Sequence, residues 1–341
     1  MPDICADPFH EHDNGLMRLH AELLGARFRF ETASPELMRL VRWAYADLPR
    51  HRLCAAPRLT VRLALADRRA QPRRGEPEPI GMLSGADFLC GASPASSMTV
   101  ISPRQRSALV MVARDMLKFS YHARYELIEL AVFTLAARAQ GLMPLHAACV
   151  GRDGCGLLLI GPSGAGKSTA VLHGALQGLE MVSEDSLFVA PRTLLATGVA
   201  NFLHVRRESL RFLSQADARL VGDSPVIRRR SGVRKFELDL RQDRFRLAPA
   251  PVKVAGIVDL SPRKGTGKTL LAPLSSSELA ARLVSSQPYA AGQSGWSMFI
   301  RNVRAVPAFE LRRGAHPMEG VAALRGLLEK SVVRGRRSRR H

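Results

Sequence analysis

Aromatic residues are scarce in this 341-residue chain, at 6%, with two tryptophans and four tyrosines. Basic residues are not interleaved with aromatic ones, so the usual single-strand stacking modules are missing. Five cysteines (Cys5, Cys54, Cys90, Cys149 and Cys155) make an odd set with no CxxC or metal-ligand spacing. That pattern argues against a disulfide framework and a structural zinc site, and for a reduced, cytoplasmic protein. No apolar run reaches the length of a membrane span, and the best apolar helix is interrupted by Arg138. The first residues lack the basic and apolar regions of a secretory signal.

Lysine is also rare. Only seven of the 50 basic residues are lysine; the rest are arginines spread along the chain, and the net charge is +20. A genome rich in G and C yields such a skew without a nucleic-acid partner. The charge is therefore read as attraction to a nucleotide or to an acidic protein or peptide.

What the chain does have is Gly161-Pro162-Ser163-Gly164-Ala165-Gly166-Lys167-Ser168, a complete GxxxxGK[ST] phosphate-loop pattern, followed by Thr169. The apolar run Gly156-Leu157-Leu158-Leu159-Ile160 before it reads as a buried strand, and the residues after it suit a helix. Glycines in such a loop let successive backbone N–H groups turn toward phosphate, and the helix N-terminus adds favourable partial charge. Lys167 is expected to reach the β- and γ-phosphates, and the Ser168 hydroxyl to ligate Mg²⁺. Gly265-Thr266-Gly267-Lys268-Thr269 is a decoy, since a loop ending at Lys268 needs glycine where Pro262 stands. It reads as a turn between strands.

A phosphoryl-transfer site also needs carboxylates. Glu184 and Asp185, ending a predicted strand at 179–182, lie 17 and 18 residues beyond Lys167. Upstream, Leu145-His146-Ala147-Ala148-Cys149-Val150 and the Gly151-Arg152-Asp153-Gly154 turn read as a hairpin into the loop. Pairing Val150 with Cys155 puts His146 opposite Leu159. Arg206, Arg207, Arg234 and Lys235 are candidates to neutralise phosphoryl charge, and Arg228-Arg229-Arg230-Ser231-Gly232 reads as an exposed loop.

Elsewhere, Ser34-Pro35-Glu36 marks a helix start, with the helix running to about residue 46. Strands are expected at 59–65, 98–101, 187–189, 254–260 and 305–311, a loop at 71–79, and helices at 123–140 and 317–330. The expected fold is α/β, with a smaller α+β domain at 1–120, a phosphate-loop domain at 121–331 and a basic disordered tail at 332–341.

The motif's context separates it from other carriers of GPSGAGKST. ABC-transporter ATPases need an LSGGQ signature and a far-downstream carboxylate, and guanylate kinases carry the loop near the N-terminus. The Leu145-His146-Ala147-Ala148 hairpin, the loop at 161–168 and the acidic pair together resemble the HPr kinase/phosphorylase family and its related serine kinases. Over residues 143–195 the resemblance is in motifs, elsewhere in layout. It implies a nucleotide core shared with phosphoenolpyruvate carboxykinase, ATP and Mg²⁺ as cofactors, and transfer of the γ-phosphoryl group to a serine on a protein or peptide. The loop is closer to those of HPr-kinase-related proteins, some of which phosphorylate ribosomal peptides such as lasso precursors. In that family His146 matches a histidine near the transferred phosphate, and the acidic pair supplies base and metal support. The family's usual members carry two aspartates where this chain has Glu184-Asp185. On the sequence alone Asp185 is assigned to Mg²⁺ and Glu184, with His146, to the acceptor. The family also tends to assemble, so a homo-oligomer is an expectation. Two other classes remain open at this point: a non-catalytic ATP-binding regulatory module of a peptide-modification system, and a nucleic-acid-stimulated ATPase.

Overall fold

The computed structural model describes residues 15–66, 76–85, 87–93 and 97–338. They fall into two compact units of a mixed α/β protein. One comprises the chain up to Ala21, Phe28–Ala46 and Arg58–Leu135. The other comprises Glu22–Arg27, Asp47–Pro57 and the chain from Ala136 onward.

The first unit carries a seven-stranded sheet, in which Arg58–Ala66 and Ser107–Ala113 run parallel. Its helix Pro35–Tyr45 starts as expected: Pro35 opens it, and the Ser34 hydroxyl oxygen accepts a hydrogen bond from Leu37 N–H. Exposed Arg58, Arg62 and Ala64 and half-buried Thr60 alternate with buried Leu59, Val61 and Leu63 along Arg58–Ala66, which gives a half-buried strand. The predicted loop at 71–79 falls partly outside the described residues, and Cys5 wholly so.

In the second unit the strand Cys155–Ile160 lies inside a ten-stranded mixed sheet, parallel to Val252–Lys264 and antiparallel to Ala148–Arg152. Leu157 and Leu159 pack into one apolar core with the helices Lys167–Leu176 and Pro317–Ser338. Leu158 and Ile160 pack into a second core, on the opposite face, with Leu279, Leu283 and Phe299. A strand covered on both faces must be apolar at every position, which explains the unbroken run before the loop. Buried His51 tethers the inserted segment 47–57: one ring nitrogen meets the Thr197 hydroxyl at 3.0 Å and the other the Ala248 carbonyl at 2.7 Å.

Three expectations are corrected. The hairpin register differs: Arg152 pairs with Cys155, Val150 with Leu157, and Ala148, not His146, lies opposite Leu159. The turn is Asp153-Gly154 alone, both with positive φ (51° and 76°), and an Asp-Gly pair adopts this conformation readily. The predicted strand 145–150 is also two strands, Met143–His146 and Ala148–Arg152; the first pairs with Ser186–Val189, so His146 faces Ser186. Finally, the last helix continues to Ser338, so most of the predicted tail is helical; residues 339–341 lie outside the described residues. The decoy at 265–269 is a turn containing the short 3-10 segment Gly267–Thr269 between two strands, as read.

Gly161 leaves its strand with φ +137°, and a Cβ there would sit 2.7 Å from the Leu260 carbonyl oxygen. Gly161→Ala should therefore push the loop off the neighbouring strand and lower stability by about 1–3 kcal/mol. Thermal unfolding of the two proteins side by side checks this; an unchanged midpoint would contradict the close approach.

Candidate active site

Gly161, Pro162, Ser163, Gly164, Ala165 and Gly166, the residues that match the phosphate-loop pattern, connect the strand Cys155–Ile160 to the helix Lys167–Leu176. Gly166 caps this helix in the left-handed region, and Gly161 and Gly164 also have positive φ. The Lys167 ammonium donates to the Gly161 carbonyl at 2.5 Å and the Pro162 carbonyl at 3.3 Å. Burial pushes its pKa down, against the opposing charges of Asp185, Asp259 and Glu184. Thr169, the third residue of the helix, meets the Ser209 hydroxyl at 3.2 Å.

The two adjacent acids sit in different environments. Glu184 has a side chain only 6% exposed. One carboxylate oxygen accepts from the Ser168 hydroxyl at 2.7 Å. The other lies 3.0 Å from His204 Nδ1, which donates because an ionised carboxylate only accepts. Behind it, His204 Nε2 lies 3.6 Å from fully buried Glu237. Asp185 instead is 37% exposed, 3.1 Å from His146 Nδ1 and 3.9 Å from the Arg229 guanidinium. Glu184 and Asp185 form a bend between the strands Glu180–Ser183 and Ser186–Val189, so their side chains diverge. His146 is fixed through its backbone: its N–H donates to the side-chain oxygen of buried Gln287 at 2.8 Å, and the Gln287 amide donates to the His146 carbonyl at 3.1 Å.

Burial by itself would raise the Glu184 carboxyl. The hydrogen bond and charge of His204, with help from Lys235 and Ser168, more than offset it and hold the group at about 2. Burial would likewise lower His204, but its bonds to Glu184 and Glu237 leave its pKa raised.

His146, Lys167, Ser168, Glu184 and Asp185 line a cleft of about 320 Å³, with His204 and Glu237 behind its wall. Of the predicted arginines and lysine, Arg206 and Lys235 line it, whereas Arg207 and Arg234 do not; from the block at 228–230, only Arg229 does. Sequence reasoning missed His204, Glu237 and Gln287. A signal existed for His204, a polar residue in the otherwise apolar strand Phe202–Val205, where it pairs directly with Glu237. Asp259 was also missed; it ends the apolar stretch Gly256-Ile257-Val258 and lies beside Ile160 in the parallel register. Its carboxylate is engaged by Arg282.

A hydroxyl and an ionised carboxylate are hard oxygen donors of the kind Mg²⁺ takes. Ser168 and Glu184 therefore fit the ion, as the glycine-rich turn at a helix N-terminus fits phosphate. Among the described residues no helix is long and apolar enough to cross a membrane.

No family model and no curated protein matches this chain. Among solved structures, the HPr(Ser) kinase/phosphatase from Coxiella burnetii is similar at 11% identity over 58% of this chain and 96% of that one, with a TM-score of 0.29. A score that low carries no weight for fold or chemistry.

The linkage signs are opposite for the buried pair. The depressed Glu184 contributes stability above the ordinary carboxylate range and loses it as pH falls toward about 2. The raised His204 contributes below the ordinary histidine value and loses it as pH rises through its own. In Glu184→Gln, NMR titration should find the His204 pKa lower than in the unaltered protein, with a smaller loss of thermal stability on the alkaline side. An unmoved His204 titration would contradict the pairing.

Proposed function

We propose that this chain is an ATP- and Mg²⁺-dependent kinase of the HPr-kinase-like class that phosphorylates a serine hydroxyl on a protein or ribosomal peptide. One observation carries the reading: two consecutive carboxylates beside a phosphate-loop motif are split, Glu184 onto the Ser168 hydroxyl and Asp185 onto His146. The serine acceptor, and a lasso precursor as one example of a peptide bearing it, follow from the resemblance over 143–195.

The geometry supports a division of labour opposite to the one expected from sequence. Glu184 is buried, with its two oxygens already engaged by Ser168 and His204, so with Ser168 it would hold Mg²⁺. Bound there, the ion neutralises charge on the β- and γ-phosphates. Asp185, partly exposed in the cleft, would accept the proton of the serine hydroxyl while the hydroxyl oxygen forms its bond to the γ-phosphorus. The bond from that phosphorus to the β–γ bridging oxygen breaks, and ADP leaves. His146 holds the Asp185 carboxylate in place. Lys167, Arg206, Arg229 and Lys235 supply positive charge along the cleft.

Transfer of labelled γ-phosphate to candidate peptides and proteins encoded beside this gene tests the reading, with the modified serine located by mass spectrometry. Lys167→Ala should abolish transfer. Asp185→Asn should lower turnover by about 10²-fold or more with ATP affinity nearly unchanged, and Glu184→Gln should raise the Mg²⁺ concentration needed. Full transfer by Lys167→Ala would sink the assignment. ATP binding without transfer would favour the regulatory module, and hydrolysis stimulated by RNA or DNA with steep salt dependence would favour the nucleic-acid-associated ATPase.

A further inference from the structure

A second, smaller cavity of about 160 Å³ opens on the other side of the phosphate loop. It shares Gly164, Gly166, Thr169, Phe212 and Arg313 with the charged cleft, so the two adjoin across the start of the loop helix. A Cβ built on Gly164 or Gly166 meets no atom within 4 Å, which leaves the loop surface between them open.

The two cavities differ in chemistry. Beyond the loop, the first is walled by Glu184, Asp185, Arg206, Glu208, Arg229 and Lys235. Desolvating those groups against a flat apolar ring carries a large cost, and a ring there would cover Asp185 and His146. The second has no carboxylate in its lining; besides Arg312 and Arg313 it carries Leu260, Leu311 and His316, whose ring is set edge to face with that of Phe212, shared by both cavities, with centroids 5.6 Å apart. The His316 ring is held: its Nδ1 accepts from Met318 N–H at 3.2 Å, and the buried His173 ring packs edge-on at 5.7 Å. This is a prepositioned aromatic wall with apolar neighbours, within reach of phosphates seated on the loop.

We infer that this cavity seats the nucleobase of the bound nucleotide, with Phe212 and His316 as aromatic walls and Arg313 spanning the passage to the phosphates. The inference rests on the nucleotide reading above. It also gives that reading a direction: with the base on the Phe212 side, the acceptor approaches from the His146 side.

Calorimetric titration with ATP and with inorganic tripolyphosphate, each at equal Mg²⁺, separates the base from the phosphates. The unaltered protein should bind ATP at least about tenfold more tightly than tripolyphosphate. Phe212→Ala should weaken ATP about tenfold, the scale of one lost base–aromatic contact, and leave tripolyphosphate within twofold. Gly320→Leu is the second variant. A Cβ at 320 has only ordinary contact with Leu311 (3.5 Å) and a side chain there enters the cavity, while the glycine-to-leucine change favours the helix. It should weaken ATP selectively as well. Equal affinity for the two ligands in the unaltered protein, or an ATP-to-tripolyphosphate ratio untouched by both variants, would overturn the base seat and leave phosphate binding standing. Failure of both ligands to bind the unaltered protein would overturn the nucleotide reading itself, and the base seat with it.

Discussion

Keeping a carboxylate ionised inside a protein requires partners on every side, and the arrangement around Glu184 meets that demand. Its two oxygens join the first turn of the loop helix, through Ser168, to the three-stranded sheet that carries His204 and Glu237. Remove that anion and three elements lose a shared contact: the loop helix, the bend at 184–185 and the strand Phe202–Val205. The depressed pKa of Glu184 and the raised one of His204 are two sides of one interaction, in which each charged form stabilises the other more than burial penalises it.

The same interaction frees its neighbour. Because Glu184 is turned inward, the bend presents Asp185 outward, into the cleft and against His146. His146 reaches that place through Gln287, 141 residues away, whose side chain clasps its backbone from both directions. Lys167 is drawn among three acids, so the loop carries a cation whose charge is shared rather than isolated. The acids and most of the basic groups line one side of the loop, while Leu260, Leu311 and the His316 ring line the other, with Phe212 and Arg313 bordering both.

Much of the local framework was legible in the chain. The Ser34-Pro35 helix start, the alternating strand at 58–66 and the buried strand before Gly161 each follow from side-chain periodicity and capping chemistry acting over a few residues. The hairpin was misread because four turn-forming residues in a row, Gly151 to Gly154, admit more than one register; the left-handed Asp153-Gly154 pair selects the tight one. The terminal helix was cut short because a run of arginines looks like a solvated tail, although arginine has good helix propensity.

The phosphate-loop pattern, its strand and its helix could be read from consecutive residues, since each is fixed by neighbours in sequence. The different surroundings of Glu184 and Asp185 could not. Two adjacent acids look interchangeable in a sequence, and what separates them is the bend between two strands and a histidine twenty residues on, itself backed by Glu237 from the paired strand. The site therefore depends on which distant groups converge on each carboxylate, and only packing brings Ser168, His204, His146 and Gln287 to those positions.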